Sequence, residues 1–390
     1  MAKVDFSDTG IAFERKSDRE LKETAFLFKM MNNSFLVDVG SNMTLLALKL
    51  RFPIKTVIKK TIFKQFCGGA TFEECNKSIQ ELAAYHVAAI LDYGAEGKEN
   101  DAAFDITVKE SIKSVRFAAK HDTVPVVSCK ITGLAQNGLL EKVTAKKELS
   151  EKEKEKYQQA LARLDAICKE AYQLKVALFI DAEESWIQGA IDDLTDKMMA
   201  RYNKKYITVY NTFQMYRHDR LDFLKKSFAL AQEKGFILGA KLVRGAYMEK
   251  ERQRASEKGY PSPIQSNKAA TDKDYNAAVK FCVDNHERIG SCLASHNEYS
   301  TQYQLQLMEE LNIPKDHLHF NFCQLYGMSD NLTFNLAKAG YNVAKYVPYG
   351  PVKDVIPYLI RRAQENSAVD GEVSRERKLI NQELQRRKKA

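Results

Sequence analysis

The sequence predicts an α/β fold, a (β/α)8 barrel of the TIM type, with an N-terminal helical arm and a final helix over the barrel mouth. Eight short runs rich in β-forming residues alternate, for the most part, with longer amphipathic or charged segments. Such alternation is typical of α/β folds, and the count of eight favours a barrel. A doubly wound open sheet is the alternative, which the missing glycine-rich phosphate loop weakens.

The first 80 residues are predicted to be helical and irregular, with a break at Gly68-Gly69. The predicted strands follow runs of branched and aromatic residues, and they are 86–91, 125–131, 175–181, 206–211, 236–243, 291–295, 317–322 and 341–347. The predicted helices between them include 151–174, 185–202, 217–234, 272–285 and 299–311. The chain thus divides into three parts: a helical arm at 1–84, a barrel domain at 85–370 and a basic tail at 371–390.

Composition is that of an ordinary globular protein, with 390 residues, 44% hydrophobic and 28% charged. Seven scattered cysteines without CxxC spacing predict neither a disulfide framework nor a metal site, and they favour a reducing compartment. The acidic residues Asp5, Asp8 and Glu14 argue against a transit peptide, and no apolar run approaches the roughly 20 residues of a membrane span. We expect a cytoplasmic protein, with a peripheral position on the inner face of the cell membrane as a variant.

The net charge of +9 is unevenly distributed. The stretch 45–66 contains no acid and interleaves apolar residues with Lys49, Arg51, Lys55, Lys59, Lys60 and Lys64. This pattern suits helices on an anionic membrane surface, and an amphipathic arm packed on its own domain is the alternative. The tail that ends at Ala390 is a second basic patch, predicted to be a frayed, solvated end. No helix-turn-helix, zinc finger or RNP-type sequence accompanies these charges, which argues against nucleic-acid binding.

One segment near the C-terminus has two functional faces when it is drawn as a helix. Its polar face repeats at i, i+3, i+4 and i+7 and consists of Tyr358, Arg361, Arg362 and Glu365. A second, apolar stripe can pack onto a core. Paired arginines suit a carboxylate, because each guanidinium can bind it in a bidentate fork. The alternative is an exposed face with a weak Arg361–Glu365 pair.

A barrel places its chemistry at the C-terminal ends of its strands. The predicted ends are mostly polar, and in order they carry Lys130, Asp181, Asn211, Lys241, Arg244, Ser295-His296-Asn297, Gln324-Leu325 and Tyr346. We therefore predict a mouth that collects a carboxylate, several cations, a histidine and a tyrosine. Each residue alone also has an ordinary structural interpretation, such as a solvated strand-end lysine for Lys130.

Eight blocks of this sequence, in the same order, resemble the proline dehydrogenase family, the flavoenzymes that start proline breakdown. The resemblance covers roughly residues 85–370 and rests on Ser128-Cys-Lys130-Ile-Thr, Leu178-Phe-Ile-Asp181-Ala-Glu-Glu184, Tyr210-Asn211-Thr-Phe-Gln214, Lys241-Leu-Val-Arg244-Gly-Ala-Tyr247, Ser295-His296-Asn297, Gln324-Leu325-Tyr-Gly-Met328, Tyr346-Val-Pro348-Tyr-Gly350 and the Tyr358 to Glu365 block. It implies a (β/α)8 barrel that holds non-covalent FAD, in agreement with the strand count.

The resemblance also implies roles for single residues. Lys130, Arg361 and Arg362 would bind the proline carboxylate, and Asp181 and Glu365 would be the anions that hold these cations in place. The pyrrolidine ring would lie among four side chains, Tyr247, Leu325, Tyr346 and Tyr358. The hydroxyproline branch of the family has a small residue in place of Tyr346, so this phenol favours proline.

The family pattern places Lys241 beside the flavin N5. The other positions near FAD are Asn211, Gln214, Arg244, Ala246, Ser295 and His296, of which Asn211 and Gln214 stand where the family has an amide that faces the flavin. Met248 departs from the pattern, because many bifunctional members have an aromatic residue there.

We therefore expect oxidation of L-proline to 1-pyrroline-5-carboxylate by hydride transfer to flavin N5. The expected electron acceptor is a membrane quinone. A hydroxyproline dehydrogenase of the same family is one alternative. Another is a Schiff-base aldolase with Lys130 or Lys241 as the nucleophile. A third is a basic adaptor that binds membranes or nucleic acid, and its binding would be sensitive to salt.

Overall fold

The computed structural model describes residues 4–33, 35–37, 39–40, 43, 55–94, 97–368 and 372–389. Within them, eight strands form a closed barrel in chain order, which confirms the predicted fold class. The strands are β1 Ala88–Tyr93, β2 Val126–Cys129, β3 Ala177–Ile180, β4 Val209–Gln214, β5 Leu238–Val243, β6 Ile289–Ala294, β7 Phe320–Leu325 and β8 Val343–Tyr349. Every predicted strand overlaps an observed one, and the ends differ by at most three residues.

The α-helices occupy the segments between and around these strands. They are α1 Thr9–Phe13, α2 Asp18–Met31, α3 Lys55–Ile58, α4 Lys64–Phe66, α5 Phe72–Ala83, α6 Asp101–Ala118, α7 Asn137–Thr144, α8 Glu151–Leu174, α9 Ser185–Tyr202, α10 Arg220–Glu233, α11 Met248–Lys258, α12 Lys268–Asp284, α13 Glu298–Glu310, α14 Asp330–Lys338, α15 Val352–Ala368 and α16 Glu372–Lys389. A π-helical turn, Lys59–Phe63, joins α3 to α4. The helices predicted at 151–174 and 185–202 have the predicted bounds.

Local capping explains where the long helix α8 begins. The Ser150 hydroxyl accepts a hydrogen bond from the backbone N–H of Glu153, and the Glu153 carboxylate accepts one from the backbone N–H of Ser150. This capping box satisfies two backbone donors that a helix start leaves unpaired. The charged run at 141–156 therefore contains the end of α7, the loop that follows it and the start of α8.

Contacts between Cα atoms divide the chain into two compact units. The first unit consists of Met1–Ala88 and Gln324–Ala390, and the second is the continuous segment Ala89–Cys323. In the second unit each strand from β1 to β7 pairs in parallel with the next. Its core is built from the apolar residues of these strands and of the helices that follow them.

The first unit has an apolar core of its own, to which α2, α4, α15 and α16 contribute. A buried ion cluster lies beside this core: Asp330 contacts Lys345 at 2.9 Å, Arg15 at 3.0 Å and Lys16 at 3.2 Å. Burial alone would raise the pKa of the Asp330 carboxyl, but these three cations hold it well below its usual range. The cluster thus links the turn after α1 to α14 and β8.

The C-terminal tail is a helix, so the prediction of a frayed end was wrong. Leu379 and Ile380 of α16 are buried in the core of the first unit. Arg387 donates hydrogen bonds to the carbonyl oxygens of Phe13 and Lys16, at 2.8 Å and 2.7 Å. These carbonyls lie at the end of α1 and beyond it, where a helix has no backbone donor of its own.

The basic stretch at 45–66 is only partly described, because residues 45–54 lie outside the described residues. Its remainder forms α3, the π-helical turn and α4, with Phe63 and Phe66 buried. Among the described residues, no helix combines the length and the apolar character that crossing a membrane requires.

Candidate active site

Four charged side chains meet inside the second unit, and they are Asp92, Lys130, Asp181 and Lys241. The Lys130 Nζ lies 3.2 Å from both carboxylate oxygens of Asp92 and 3.5 Å from Asp181 Oδ2. Asp181 Oδ1 accepts a 2.6 Å hydrogen bond from the Lys241 Nζ. Acids and bases therefore alternate along one chain of contacts.

Strand register explains why these side chains share the barrel interior. Lys241 is in register with Thr212 on β4 and with Cys292 on β6, and residues in register point to the same face of a sheet. The Lys241 ammonium also lies 5.3 Å from the centroid of the Phe179 ring, which is on β3. Lys130 and Asp181 directly follow β2 and β3, at the ends where a barrel carries its chemistry.

The electrostatics of this cluster balance. The four side chains are at most 11% exposed, and an unpaired ion at such depth would cost several kcal/mol. Two carboxylates facing two ammonium groups avoid that cost. The structure thus brings together three residues that the sequence selected, Lys130, Asp181 and Lys241.

Asp92 is a site residue that the sequence analysis missed. The predicted first strand ended at residue 91, whereas β1 continues to Tyr93 and so includes Asp92. A predicted strand two residues longer would have included Asp92 among the polar strand ends. Glu183 was also missed: its buried carboxylate accepts hydrogen bonds from the backbone N–H and the hydroxyl of Thr132, at 3.0 Å and 2.5 Å.

Arg244 follows β5 and is held by three side chains. Its Nε donates to Asp272 Oδ1 at 2.8 Å, its Nη1 to the Ser295 hydroxyl at 2.7 Å and its Nη2 to the Ser300 hydroxyl at 3.0 Å. The guanidinium carbon also lies 4.3 Å from the centroid of the Tyr275 ring. The predicted residues Arg244 and Ser295 are therefore in direct contact.

The Asp272 carboxylate fixes the plane of this guanidinium, and Asp272 is a third residue that the sequence did not single out. Burial alone would raise the pKa of Asp272, but hydrogen bonds from Lys268 and Arg244 lower it below its usual value. The sequence offered little signal for this role, because Asp272 is one of many acidic residues on helices.

Asn211 on β4 is held by a side chain of the neighbouring helix α9. It is fully buried, and its amide nitrogen donates to Asp192 Oδ1 on α9 at 3.0 Å, while its amide oxygen accepts from the Thr212 backbone N–H. Strand alternation turns Asn211 toward the surrounding helices when Thr212 points into the barrel. Arg220 binds the same Asp192 carboxylate through both of its terminal nitrogens. The predicted flavin contact of Asn211 stays a prediction.

Gln214, two residues after Thr212, lies on the inner face of β4. It is 2% exposed, and its amide nitrogen donates to the backbone oxygen of Glu183 at 2.7 Å. Its predicted contact with a cofactor stays a prediction.

The loop after β5 carries Ala246 and Tyr247, both half-buried. Its conformation depends on Gly245, which has a φ of +147° and whose missing Cβ would lie 2.5 Å from the Tyr216 ring. Tyr247 is the N-cap residue of α11. The helix is anchored by the buried carboxylate of Glu251, which accepts hydrogen bonds of 2.6 Å from the backbone N–H and the hydroxyl of Ser185.

Six predicted site residues belong to the first unit, and the side chains of five of them are described. Tyr346 on β8 is 6% exposed and Tyr358 on α15 is 9% exposed, whereas Leu325 is half-buried at the end of β7. Arg361 and Arg362 are half-buried on α15, and the guanidinium carbon of Arg362 lies 5.5 Å from the centroid of the Tyr358 ring. The side chain of Glu365 lies outside the described part of the chain.

The donors at the ends of β5 and β6 fit FAD in their chemistry. Lys241 and Arg244 supply positive charge for a dinucleotide diphosphate or an electron-rich flavin. Ser295 and His296, which follow β6, add a hydroxyl and an imidazole for hydrogen bonds. His296 is half-buried, and Ser295 is 7% exposed.

The comparisons with known proteins bear on this site. The family model described as proline dehydrogenase matches residues 75–375. This chain belongs to the proline dehydrogenase family. Proline dehydrogenase 1, mitochondrial, of Dictyostelium discoideum is 32% identical over 97% of this chain and 74% of that protein. The Homo sapiens protein of the same name is 41% identical over 65% of this chain and 42% of that protein. Hydroxyproline dehydrogenase of Xenopus laevis is 32% identical over 98% of this chain and 90% of that protein.

Solved structures of proline utilization A have the same fold. The protein from Bdellovibrio bacteriovorus, inactivated by N-propargylglycine, gives a TM-score of 0.73 at 21% identity over 94% of this chain. The match covers 38% of that bacterial chain, so this chain spans little more than a third of its length. The similarity supports the barrel architecture.

The geometry of the two barrel lysines does not favour the aldolase alternative. Lys130 and Lys241 each face carboxylates. Such partners hold an ammonium ion, whereas a Schiff-base nucleophile must be a neutral amine.

Proposed function

We propose that this member of the proline dehydrogenase family oxidises L-proline to 1-pyrroline-5-carboxylate with non-covalent FAD, as the first step of proline catabolism. Family membership supports the reaction class. The observation that carries the proposal is the buried, alternating cluster of Asp92, Lys130, Asp181 and Lys241 at the strand ends of the barrel. Such a cluster can position a cation for an amino-acid carboxylate without leaving any ion unpaired.

In this proposal, Lys130, Arg361 and Arg362 bind the proline carboxylate. The two arginines supply planar, bidentate donors, and Lys130 supplies a point charge. Tyr247, Leu325, Tyr346 and Tyr358 would enclose the pyrrolidine ring. Binding the carboxylate fixes the orientation of the ring, which is the protein's main contribution to such a reaction.

When bound, FAD would supply the acceptor for the hydride that leaves proline C5. The proline nitrogen loses a proton to solvent, and the electron pair of its N–H bond forms the C=N bond of the product. Lys241 would keep positive charge near the cofactor, because Asp181 holds its ammonium at 2.6 Å. Arg244, Ala246, Ser295, His296 and Gln214 are the further candidates for cofactor contacts.

The first experiment is an anaerobic absorption spectrum of the purified protein before and after L-proline is added. We expect a yellow protein whose flavin bands bleach with proline, and much less bleaching in an Arg361→Met, Arg362→Met double variant. Arg116→Met is the matched control, because Arg116 is 63% exposed on α6. A protein that stays colourless after FAD is supplied would contradict the proposal.

Hydroxyproline oxidation is a second candidate, because the Xenopus laevis relative that matches 98% of this chain is named hydroxyproline dehydrogenase. Tyr346 favours proline, since a phenol leaves less room for a ring hydroxyl. We expect Tyr346→Ser to raise kcat/KM for hydroxyproline and to lower it for proline, each about ten-fold, as suits a pocket change of 1–3 kcal/mol. Steady-state rates with both substrates test this, and a wild-type preference for hydroxyproline would overturn the assignment.

The reduced cofactor must pass its electrons to an acceptor, and we propose a membrane quinone. The basic and apolar stretch at 45–66 supports a peripheral position on a membrane. Reduction of a soluble quinone analogue by the protein and proline would test the acceptor class separately from membrane binding.

A further inference from the structure

Exposed apolar side chains are concentrated in the N-terminal arm. Among the described residues, thirteen large hydrophobic side chains are exposed, and seven of them lie between Phe26 and Val57. Phe26 is 64% exposed, Phe35 71% and Met43 65%. Single exposed hydrophobics are ordinary, but a concentration of this kind marks an interaction surface.

A groove with apolar walls lies in the same part of the first unit. Its volume is about 220 Å³, and its lining includes Met30, Leu36, Ile58, Ile62, Leu359 and Ile360. An engineered apolar cavity of about 150 Å³ accepts benzene, so this groove is large enough for a length of hydrocarbon chain. One wall is α15, the helix that also carries Arg361 and Arg362.

The segments that carry these apolar residues also carry exposed cations. Lys29, Lys59, Lys60 and Lys64 are all exposed, on α2, the π-helical turn and α4. Lys59 lies 2.5 Å from Glu74 and Lys64 lies 3.5 Å from Glu23, but exposed pairs of this kind are weak and exchange readily. Lys29 and Lys60 make no ion pair within the described part of the chain.

We propose that this arm surface, defined by Phe26, Met30, Phe35, Leu36, Val57 and the four lysines, docks on an anionic phospholipid bilayer, and that the groove receives one acyl chain. Charge selects this occupant. A second copy of the chain would bring the same cations together, whereas an anionic bilayer offers negative headgroups above a hydrocarbon layer. Apolar residues beside lysines match both layers. The proposal rests on the proposed function in one respect: the membrane that this surface binds would also hold the quinone acceptor.

Vesicle flotation of the full chain tests the docking surface. We expect it to float with phosphatidylcholine vesicles that contain phosphatidylglycerol, to float poorly with phosphatidylcholine alone, and to be released by added salt. A Phe26→Ser, Phe35→Ser double variant should weaken vesicle binding about ten-fold or more. A separate Lys29→Glu, Lys60→Glu double variant should weaken it by a similar factor. The matched control is Tyr299→Ser, Leu318→Ser, since those residues are 69% and 85% exposed in the second unit. No flotation, or equal losses in the control, would overturn the proposal.

Fluorescence separates acyl-chain uptake from surface adsorption. A Leu36→Trp reporter in the groove should be quenched by lipids brominated on the acyl chain, whereas a Leu318→Trp reporter should not. Flotation without quenching at position 36 would overturn the groove assignment. Proline-dependent reduction of a soluble dye reports on the proposed function and needs no membrane. Failure of the proposed function would therefore abolish dye reduction, whereas failure of the docking proposal would abolish only vesicle binding.

Discussion

Asp272 is the residue whose contacts bear most directly on the predicted cofactor position. Its carboxylate binds Arg244 and Lys268, and Arg244 in turn contacts Ser295. A hydrogen bond to a charged group contributes about 1.5–3 kcal/mol. Asp272 is thus a positioning residue for a guanidinium that the family pattern places near FAD.

We expect Asp272→Asn to weaken FAD binding about ten-fold, because the amide keeps the shape but loses the charge that orients Arg244. Titration of the apoprotein with FAD, followed by flavin fluorescence, measures the change. Asp284→Asn is the control on the same helix, since Asp284 is 43% exposed and pairs only with Lys280 among the described residues. Equal FAD affinity in both variants would contradict the assigned role.

The pair of Asp181 and Lys241 allows a test of the buried cluster. Asp181→Asn removes an anion that two lysines share, and breaking a buried pair costs about 3–5 kcal/mol. We expect Lys241→Met in the Asp181→Asn protein to restore part of this loss, because Lys241 has lost its 2.6 Å carboxylate contact there, whereas Lys130 keeps its contact with Asp92. Urea unfolding of the two single variants and the double variant gives the coupling energy. Strictly additive changes would mean that the 2.6 Å contact does not stabilise the fold.

Among the secondary-structure elements, sequence periodicity predicted the helices whose signals are local. It missed a helix that depends on residues far away in the sequence. The helices α8 and α9 have the predicted bounds, because their apolar periodicity is local and α8 also begins at a local capping box. The helix α16 was missed, because its charged sequence has few apolar residues. The surface that buries Leu379 and Ile380 includes residues more than 300 positions earlier in the chain.

In the candidate site, the positions of residues along the chain were predictable, but the direction of one side chain was not. Lys130, Asp181 and Lys241 could be selected because each lies at or near the polar end of an apolar run. The inward or outward direction of Asn211 could not be predicted, because the predicted fourth strand ended at residue 211 and left its alternation undetermined. A strand that runs to Gln214 fixes that direction.

We expect Ile380→Ala to destabilise the protein by about 2–5 kcal/mol, since Ile380 is 1% exposed in the core of the first unit. Lys378→Ala, two residues earlier on the exposed side of α16, is the control. Urea unfolding compares the two variants. A loss for Ile380→Ala no larger than that for the control would show that α16 contributes little to stability.

At the scale of the whole molecule, the pH dependence of stability has a component from α9. Burial, together with the carboxylates of Asp192 and Asp193, raises the pKa of Asp196 to about 7, from its usual 3.8. The folded protein therefore keeps a proton that the unfolded chain releases. Stability from this group is present below about pH 4 and declines as the pH rises toward 7.

Asp196→Asn removes that titration, so we expect its urea midpoint to fall less than the wild-type midpoint between about pH 5 and about pH 8. Midpoints measured at both pH values test this, with Asp284→Asn as the exposed control. An equal decline of the urea midpoint in all three proteins would indicate that folding leaves the pKa of Asp196 at its ordinary value.

The contacts of Arg387 also bear on the order in which the protein folds during synthesis. This residue caps carbonyls 371 and 374 positions earlier in the chain, so α1 gains that partner only after all the intervening residues have been synthesised. The continuous segment Ala89–Cys323 needs no such wait. Domains fold as units while the chain emerges, and closing so long a loop costs entropy that must be recovered late. The residues of α1 thus reach these native contacts long after they have left the ribosome.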